Sequence, residues 1–195
     1  AGIPLIEIVS RPVMRSGEEA RKYVDKIREL VTFSNVSDGK MEEGSLRCDV
    51  NISLRPYGSD KFGTKVEIKN LNSTKFIQQA IDFEIERQSK LLLQNQTIRQ
   101  ETRRYDEAKR ETILMRVKTD AVDYKYFPEP NITPIVLSDE FVNDAIKNCP
   151  ELADSKINRY INEYSLSEYD ASLLVNEKSV SEFSDEAAKI TKSYK

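Results

Sequence analysis

Residues 45–54 read Ser45-Leu46-Arg47-Cys48-Asp49-Val50-Asn51-Ile52-Ser53-Leu54, and residues 64–69 read Thr64-Lys65-Val66-Glu67-Ile68-Lys69. These two segments decide the fold. Side chains alternate across a strand with a period of two, so Leu46, Cys48, Val50, Ile52 and Leu54 share one face. Arg47, Asp49, Asn51 and Ser53 share the other. Val66 and Ile68 alternate in the same way with Lys65, Glu67 and Lys69. A turn rich in Pro56, Gly58, Ser59, Asp60 and Gly63 joins the segments. The pattern predicts an antiparallel hairpin with one apolar and one charged face.

The elements on either side follow from capping and periodicity. Asn72-Ser73 caps a long helix whose stripe is Phe76, Ile77, Ala80, Ile81, Ile85 and Leu92. Segments 97–105 and 112–118 flank a turn at Asp106-Glu107-Ala108-Lys109 and read as a second hairpin. Residues 123–134 form a loop punctuated by Pro128, Pro130 and Pro134, with Tyr124, Tyr126 and Phe127 expected to pack under the sheet or against a partner. Residues 135–137 read as a last short strand. Upstream, residues 3–9 read as a strand stopped at Pro12. Ser16-Gly17-Glu18-Glu19 has the form of a capping box, opening a helix to about Phe33 with Ala20, Tyr23, Val24, Ile27, Leu30 and Val31 on its stripe. After Ser138 the texture becomes short capped helices, with starts at Ser138, Asp154-Ser155, Ser167 and 179–181. Residues 138–195 carry 7 Lys/Arg and 12 Asp/Glu, net −5, whereas the remainder is net +2. The expectation is α+β: a mostly antiparallel sheet with packed helices over 1–137, then a small all-helical segment over 138–195.

Composition narrows the chemistry. The 195 residues include 30 Lys+Arg and 33 Asp+Glu, two cysteines, no tryptophan and no histidine. Without histidine the chain builds no Ser-His-Asp or Cys-His machinery and no His-ligated zinc site. Cys48 and Cys149 stand a hundred residues apart in no metal spacing and read as reduced thiols of a cytoplasmic protein. No signal peptide opens the chain and no run approaches the roughly 20 apolar residues that span a bilayer, so no membrane association is expected. The start on Ala1, without Met and almost directly on a strand-like segment, is what a cut-out fragment would show.

The chemistry left is that of carboxylates, lysines, arginines and bound ions. The charged hairpin face offers Arg47, Asp49, Asn51, Lys65, Glu67 and Lys69. Glu7 is a lone carboxylate in an apolar run, and burying it unpaired would be costly. A cation such as Mg²⁺ is one partner for it, needing only one or two protein carboxylates besides phosphates and waters. The alternative is an ordinary solvated sheet face with cross-strand ion pairs. The turn at 36–44 carries Glu42 and Glu43, either ligands, acid/base groups or simply exposed. In 67–73 a strand runs into a helix cap, where backbone N–H groups beside Lys69 and Asn70 suit a phosphate. Neither a Walker loop nor G-x-G-x-x-G occurs. Arg99, Arg103, Arg104 and Arg116, with Tyr105 near them, suit contact with a phosphate backbone and bases, or serve only solubility.

Taken together, PLIEIVS at 4–10, VSDGKMEEGSLRCDVNISLRPYG at 36–58, FGTKVEIKNLNS at 62–73, QETRRYDE at 100–107, DYKYFPEP at 123–130 and LSEYDA at 166–171 closely resemble the GatB family, one of the subunits of the bacterial tRNA-dependent amidotransferases. The resemblance covers nearly the whole chain in the family's order. It implies a ligase subunit that uses ATP to phosphorylate the side-chain carboxylate of Glu-tRNA(Gln) or Asp-tRNA(Asn). Ammonia freed from glutamine by an amidase subunit, in a complex with a small third subunit, then displaces the phosphate. It implies a cradle-shaped catalytic domain followed by a helical domain and a tRNA-binding tail.

By the same resemblance, Glu7 is a Mg²⁺ ligand and Asp49 projects into the site. With Asp49, Glu43 is assigned to catalysis, and Arg47, Lys69 and Asn70 to contacts with ATP phosphates or substrate. The sequence also departs from the family. Nothing matches its GLEVH-type motif, with a glutamate and histidine of the metal site, or a further acidic motif before PLIE. Where the family usually reads SEPD, this chain has Ser10-Arg11-Pro12-Val13. A central fragment lacking the N-terminal part and the tail, inactive by itself, is the expectation. Two other classes stay open. One is a non-catalytic tRNA-binding or assembly module that docks the amidase subunit; the other is an unrelated ATP-dependent ligase subunit for a small-molecule carboxylate.

Overall fold

A computed structural model describes residues 5–117 and 130–191. The chain forms two compact units, one from Ala1–Asp25 with Arg47–Thr119 and the other from Lys26–Leu46 with Asp120–Lys195. The architecture is α+β, with six helices and one four-stranded sheet among the described residues.

The first unit holds the sheet, in the order β1-β2-β3-β4. Strands β1 (Cys48–Ile52) and β2 (Val66–Leu71) pair antiparallel, with Val50 opposite Ile68 and Ile52 opposite Val66. Strands β3 (Glu101–Asp106) and β4 (Glu111–Val117) form the second antiparallel hairpin. Helix α2 (Thr74–Leu93) separates the hairpins, so β2 and β3 pair parallel through a crossover, as parallel neighbours require. Ser73 caps α2 by accepting the Phe76 amide at 3.2 Å. The core is the apolar face of β2 (Val66, Ile68, Leu71) with Ile77, Ala80 and Ile81 of α2 and Tyr105 of β3. Each valine, leucine or isoleucine among them, fully buried, contributes about 1.5–3 kcal/mol. Phe76 and Tyr105 add a tilted ring pair at 5.6 Å.

Helix α1 (Gly17–Phe33) starts and ends where its sequence pattern places it. The Glu19 amide donates to Ser16 Oγ at 3.1 Å, while the Glu19 carboxylate accepts the amide of Arg15 at 2.5 Å. The reciprocal cap is therefore closed one residue earlier than in the standard box. In its first half Ala20 and Val24 are buried.

The second unit is helical: α3 (Asp139–Lys147), α4 (Ala153–Tyr164), α5 (Glu168–Val175) and α6 (Lys178–Ile190). Ser138 and Ser167 cap α3 and α5 through their hydroxyls. Its core gathers Phe33, Ala153, Tyr160, Leu166, Ala171 and Val175. Asp185 of α6 ties the helices together, accepting from Lys156, from Arg159 at 2.8 Å and from the Tyr160 hydroxyl at 2.8 Å. Burial alone would raise the Asp185 pKa; these donors outweigh it and hold the carboxyl below its ordinary range.

Two strand expectations are corrected. Within the 3–9 segment, residues 5–9 form no ladder, and Leu5, Ile6, Ile8 and Val9 stand exposed. Residues 135–137 likewise form no strand, with Ile135, Val136 and Leu137 exposed. Apolar alternation needs a partner whose N–H and C=O groups complete the ladder, and no described segment supplies one here. Tyr124, Tyr126 and Phe127 lie outside the described residues, as does Lys118 at the end of the second hairpin.

Candidate functional site

The charged face of the first hairpin is arranged by a bulge. Cys48 pairs with Leu71 and Val50 with Ile68, so Asp49 alone faces both Lys69 and Asn70. Asn70 absorbs the extra residue with φ at 63°, a left-handed conformation that asparagine tolerates better than most residues. The Lys69 ammonium donates to Asp49 and lies 3.6 Å from Glu67 Oε1. Glu67 in turn accepts the Thr102 hydroxyl at 2.9 Å from β3, across the parallel pair. Its hydrogen bond to Asp49 raises the Lys69 pKa, although burial opposes this. With side-chain exposures of 38% and 48%, the Lys69–Asp49 pair adds at most about 1 kcal/mol to stability. It orients two charged groups on an open sheet face rather than holding the strands together.

The residues singled out from the sequence fall into three places. Asp49, Lys69 and Asn70 are brought together by the bulge, with Arg47 exposed directly before β1. Glu7 stands exposed in the irregular segment before α1. Glu43 belongs to the other compact unit, exposed in a turn and paired with Lys40 at 2.7 Å. In that turn Asp38 accepts the Lys40 amide at 3.1 Å, which holds its carboxyl below the ordinary range.

Among the described residues no three carboxylates or thiols stand together as metal ligands. A Mg²⁺ ion takes only one or two protein carboxylates when phosphates and waters complete its shell, and Glu7 is the carboxylate the sequence puts forward for it. For a nucleotide phosphate, Arg47 and the N–H groups of Lys69 not used by the carboxylates are the donors. Burial, and then the Asp49 charge, push the Cys48 thiol up to about 11, which disfavours its thiolate.

A second polar cluster lies between α2 and the second hairpin, and the sequence reading passed over it. Glu84 is fully buried on the stripe of Ile77, Ala80 and Ile81. Arg87 grips its carboxylate through two bonds of 2.8 and 2.9 Å; Gln88 donates at 2.9 Å, and the Thr112 hydroxyl also donates. Arg103 lies 3.1 Å away and itself donates to Thr112 and Glu101. Burial would raise the Glu84 pKa, but the bonds from Arg87, Gln88 and Thr112 outweigh it and lower it. The available signal was the spacing: positions 77, 81, 84 and 88 fall on one helical face, polar residues included.

This cluster removes Arg103 and Tyr105 from the basic, aromatic surface read on the second hairpin, while Arg99, Arg104 and Arg116 remain exposed. Arg103 is turned inward onto Glu84, and Tyr105 is buried with its hydroxyl donating to Gln79 at 3.0 Å. Both are part of the packing.

The sheet-and-helix unit with this face is that of a recognised class: residues 1–143 match the GatB/GatE catalytic domain, and the chain belongs to that family. It is 55% identical over 194 residues to a protein of Mesoplasma florum named as the B-type subunit of the aspartyl/glutamyl-tRNA(Asn/Gln) amidotransferase, covering 100% of this chain and 40% of that relative. Relatives of the same name from Oceanobacillus iheyensis and Persephonella marina are 54% and 50% identical, over 95% and 97% of this chain. The chain spans about 40% of the length of these curated relatives.

Proposed function

We propose that this chain is part of a tRNA-dependent amidotransferase subunit that activates the side-chain carboxylate of Glu-tRNA(Gln) or Asp-tRNA(Asn) with ATP and amidates it. The observation that carries the reading is the match along the entire chain, at 50–55% identity, to relatives of that name. In the reaction, a carboxylate oxygen takes the γ-phosphoryl group and ADP leaves. Ammonia then attacks the acyl phosphate and inorganic phosphate departs, forming the amide. Residues 1–137 belong to the cradle-like catalytic domain and 138–195 to the start of the helical domain. The amidase subunit supplies ammonia from glutamine, the complex is completed by a small third subunit, and the reaction takes place in the cytoplasm.

Within this reading Glu7 holds Mg²⁺, which when bound neutralises charge on the phosphates. Lys69, aligned by Asp49, contacts phosphate oxygens or the substrate carboxylate together with Arg47 and Asn70. Asp49 and Glu43 are the carboxylates assigned to catalysis. No histidine, serine or thiol nucleophile is needed, since positioning and charge stabilisation carry phosphoryl transfer. In the complete enzyme, Glu7→Gln should abolish ATP-dependent phosphorylation while leaving glutaminase activity largely intact. Amidation that survives this change removes Glu7 from the metal site.

The second reading is a module that binds tRNA or docks the amidase subunit without catalysing the reaction, and the exposure of Glu7 in an irregular segment suits it as well. Amidation of Glu-tRNA(Gln) by the complex carrying Asp49→Ala separates the two: undiminished turnover favours docking, and loss favours catalysis.

A further inference from the structure

The first hairpin ends in a loop that is ordered yet turns its aromatic groups outward. Pro56, Tyr57, Gly58 and Ser59 form a turn closed by the Ser59 amide donating to the Pro56 carbonyl at 3.1 Å. Gly58 supplies the positive φ of 81° that the third position of such a turn requires. The Lys61 amide donates to Ser59 Oγ at 3.2 Å. At the loop base a Cβ on Gly63 would come within 2.1 Å of the Leu54 carbonyl oxygen, so only glycine lets the two legs close there. Across the loop the Arg55 guanidinium stacks on Phe62, 5.0 Å from the ring centroid.

This fixed scaffold leaves Tyr57 at 109% and Phe62 at 50% exposure. Arg55, exposed Lys61 and exposed Lys65 flank them in the chain, and Asp60 is the only carboxylate in residues 53–65. Two exposed rings among three cations make a poor site for an apolar protein surface. They suit a flexible polyanion whose flat bases stack on rings while cations take its phosphates. Duplex RNA hides its base faces, so the match is to an unpaired strand.

We propose that the loop at 55–62 is a contact for the unpaired end of an RNA strand, with a base stacked on Tyr57 and phosphates held by Arg55, Lys61 and Lys65. The proposal deepens the tRNA reading given above, on which it rests for the source of the RNA. The exposed rings among these cations are thus on the first hairpin, where the sequence suggested only a turn.

The test is fluorescence anisotropy of the 195-residue chain with a labelled eight-nucleotide single strand of RNA and with the same strand in a duplex. Circular dichroism checks that each variant is folded. Tyr57→Ala should weaken single-strand binding by roughly 5- to 140-fold, from a stacking contribution of about 1–3 kcal/mol per base. Tyr57→Phe keeps the ring and should stay within about twofold of wild type. Lys61→Ala should lower the slope of log affinity against log salt by about 0.7. Single-strand binding that Tyr57→Ala leaves unchanged overturns the loop contact while the tRNA reading stands. Absence of single-strand binding, preference for the duplex, or exchange protection of 55–62 by a protein partner and not by RNA also overturns it. The tRNA reading is judged separately, by amidation of Glu-tRNA(Gln) in the complex.

Discussion

Asn70 illustrates how one backbone conformation sets a charged group in place. Its φ of 63° lets two residues of β2 face Asp49 alone, which turns the Lys69 ammonium onto that carboxylate. Glycine reaches this region without strain and a β-branched residue does not. Asn70→Gly should therefore keep stability within about 0.5 kcal/mol, whereas Asn70→Val should lose about 1–2 kcal/mol, read from urea midpoints at constant slope. If Asn70 contributes through its side chain, Asn70→Gly will impair amidation as strongly as Asn70→Val. The Lys69–Asp49 pair makes a second prediction. Because Asp49 keeps Lys69 protonated, Asp49→Asn should raise the fraction of neutral amine between pH 8 and 9. Faster acylation of Lys69 in that range, followed by mass spectrometry, is the expected result.

Among the elements, α2 packs through polar as well as apolar side chains. Glu84 receives Arg87 and Gln88 from its own helix, and Thr112 and Arg103 from the second hairpin. Removing the carboxylate leaves the Arg87 guanidinium, the Gln88 amide and the Thr112 hydroxyl without their acceptor, and Arg103 without the charge beside it. Glu84→Ala should cost about 3–5 kcal/mol, the usual effect of breaking a buried pair, measured by denaturant unfolding. Replacing an exposed charge on the same helix, as in Glu86→Ala, should stay within about 0.5 kcal/mol. The helix was legible in the sequence from its serine cap and apolar spacing. The buried glutamate was not, since a carboxylate on an apolar stripe reads as exposed until another strand brings it donors. Nor was the parallel pairing of β2 with β3, because each hairpin is written locally while their junction depends on where the crossover helix lands.

At the scale of the molecule, each compact unit packs a carboxylate that several donors hold below its ordinary range, Glu84 in one and Asp185 in the other. The folded pKa of each lies below its unfolded value of about 4, so their contribution is complete above that pH. It is lost as pH falls through the folded values. Stability should therefore drop on acidification below about pH 5, and Glu84→Gln and Asp185→Asn should each flatten that drop. With nine tyrosines and no tryptophan, near-ultraviolet circular dichroism of tyrosine follows the transition, since Tyr105 and Tyr160 sit in the two cores.

The amino-acid sequence alone determined the α+β class, both hairpins, the first three helix caps and the exclusion of histidine chemistry. Period, cap and composition are local properties, carried by residues close together in the chain. Tertiary structure decided what those elements do to one another: that β2 and β3 run parallel, and that Arg103 and Tyr105 turn inward. It also decided that Glu84 is buried and that Tyr57 remains outside on a fixed turn. Strand-like segments at 5–9 and 135–137 stay unpaired for the same reason. Burial and pairing are settled by which distant groups arrive opposite a side chain, and no local pattern records that.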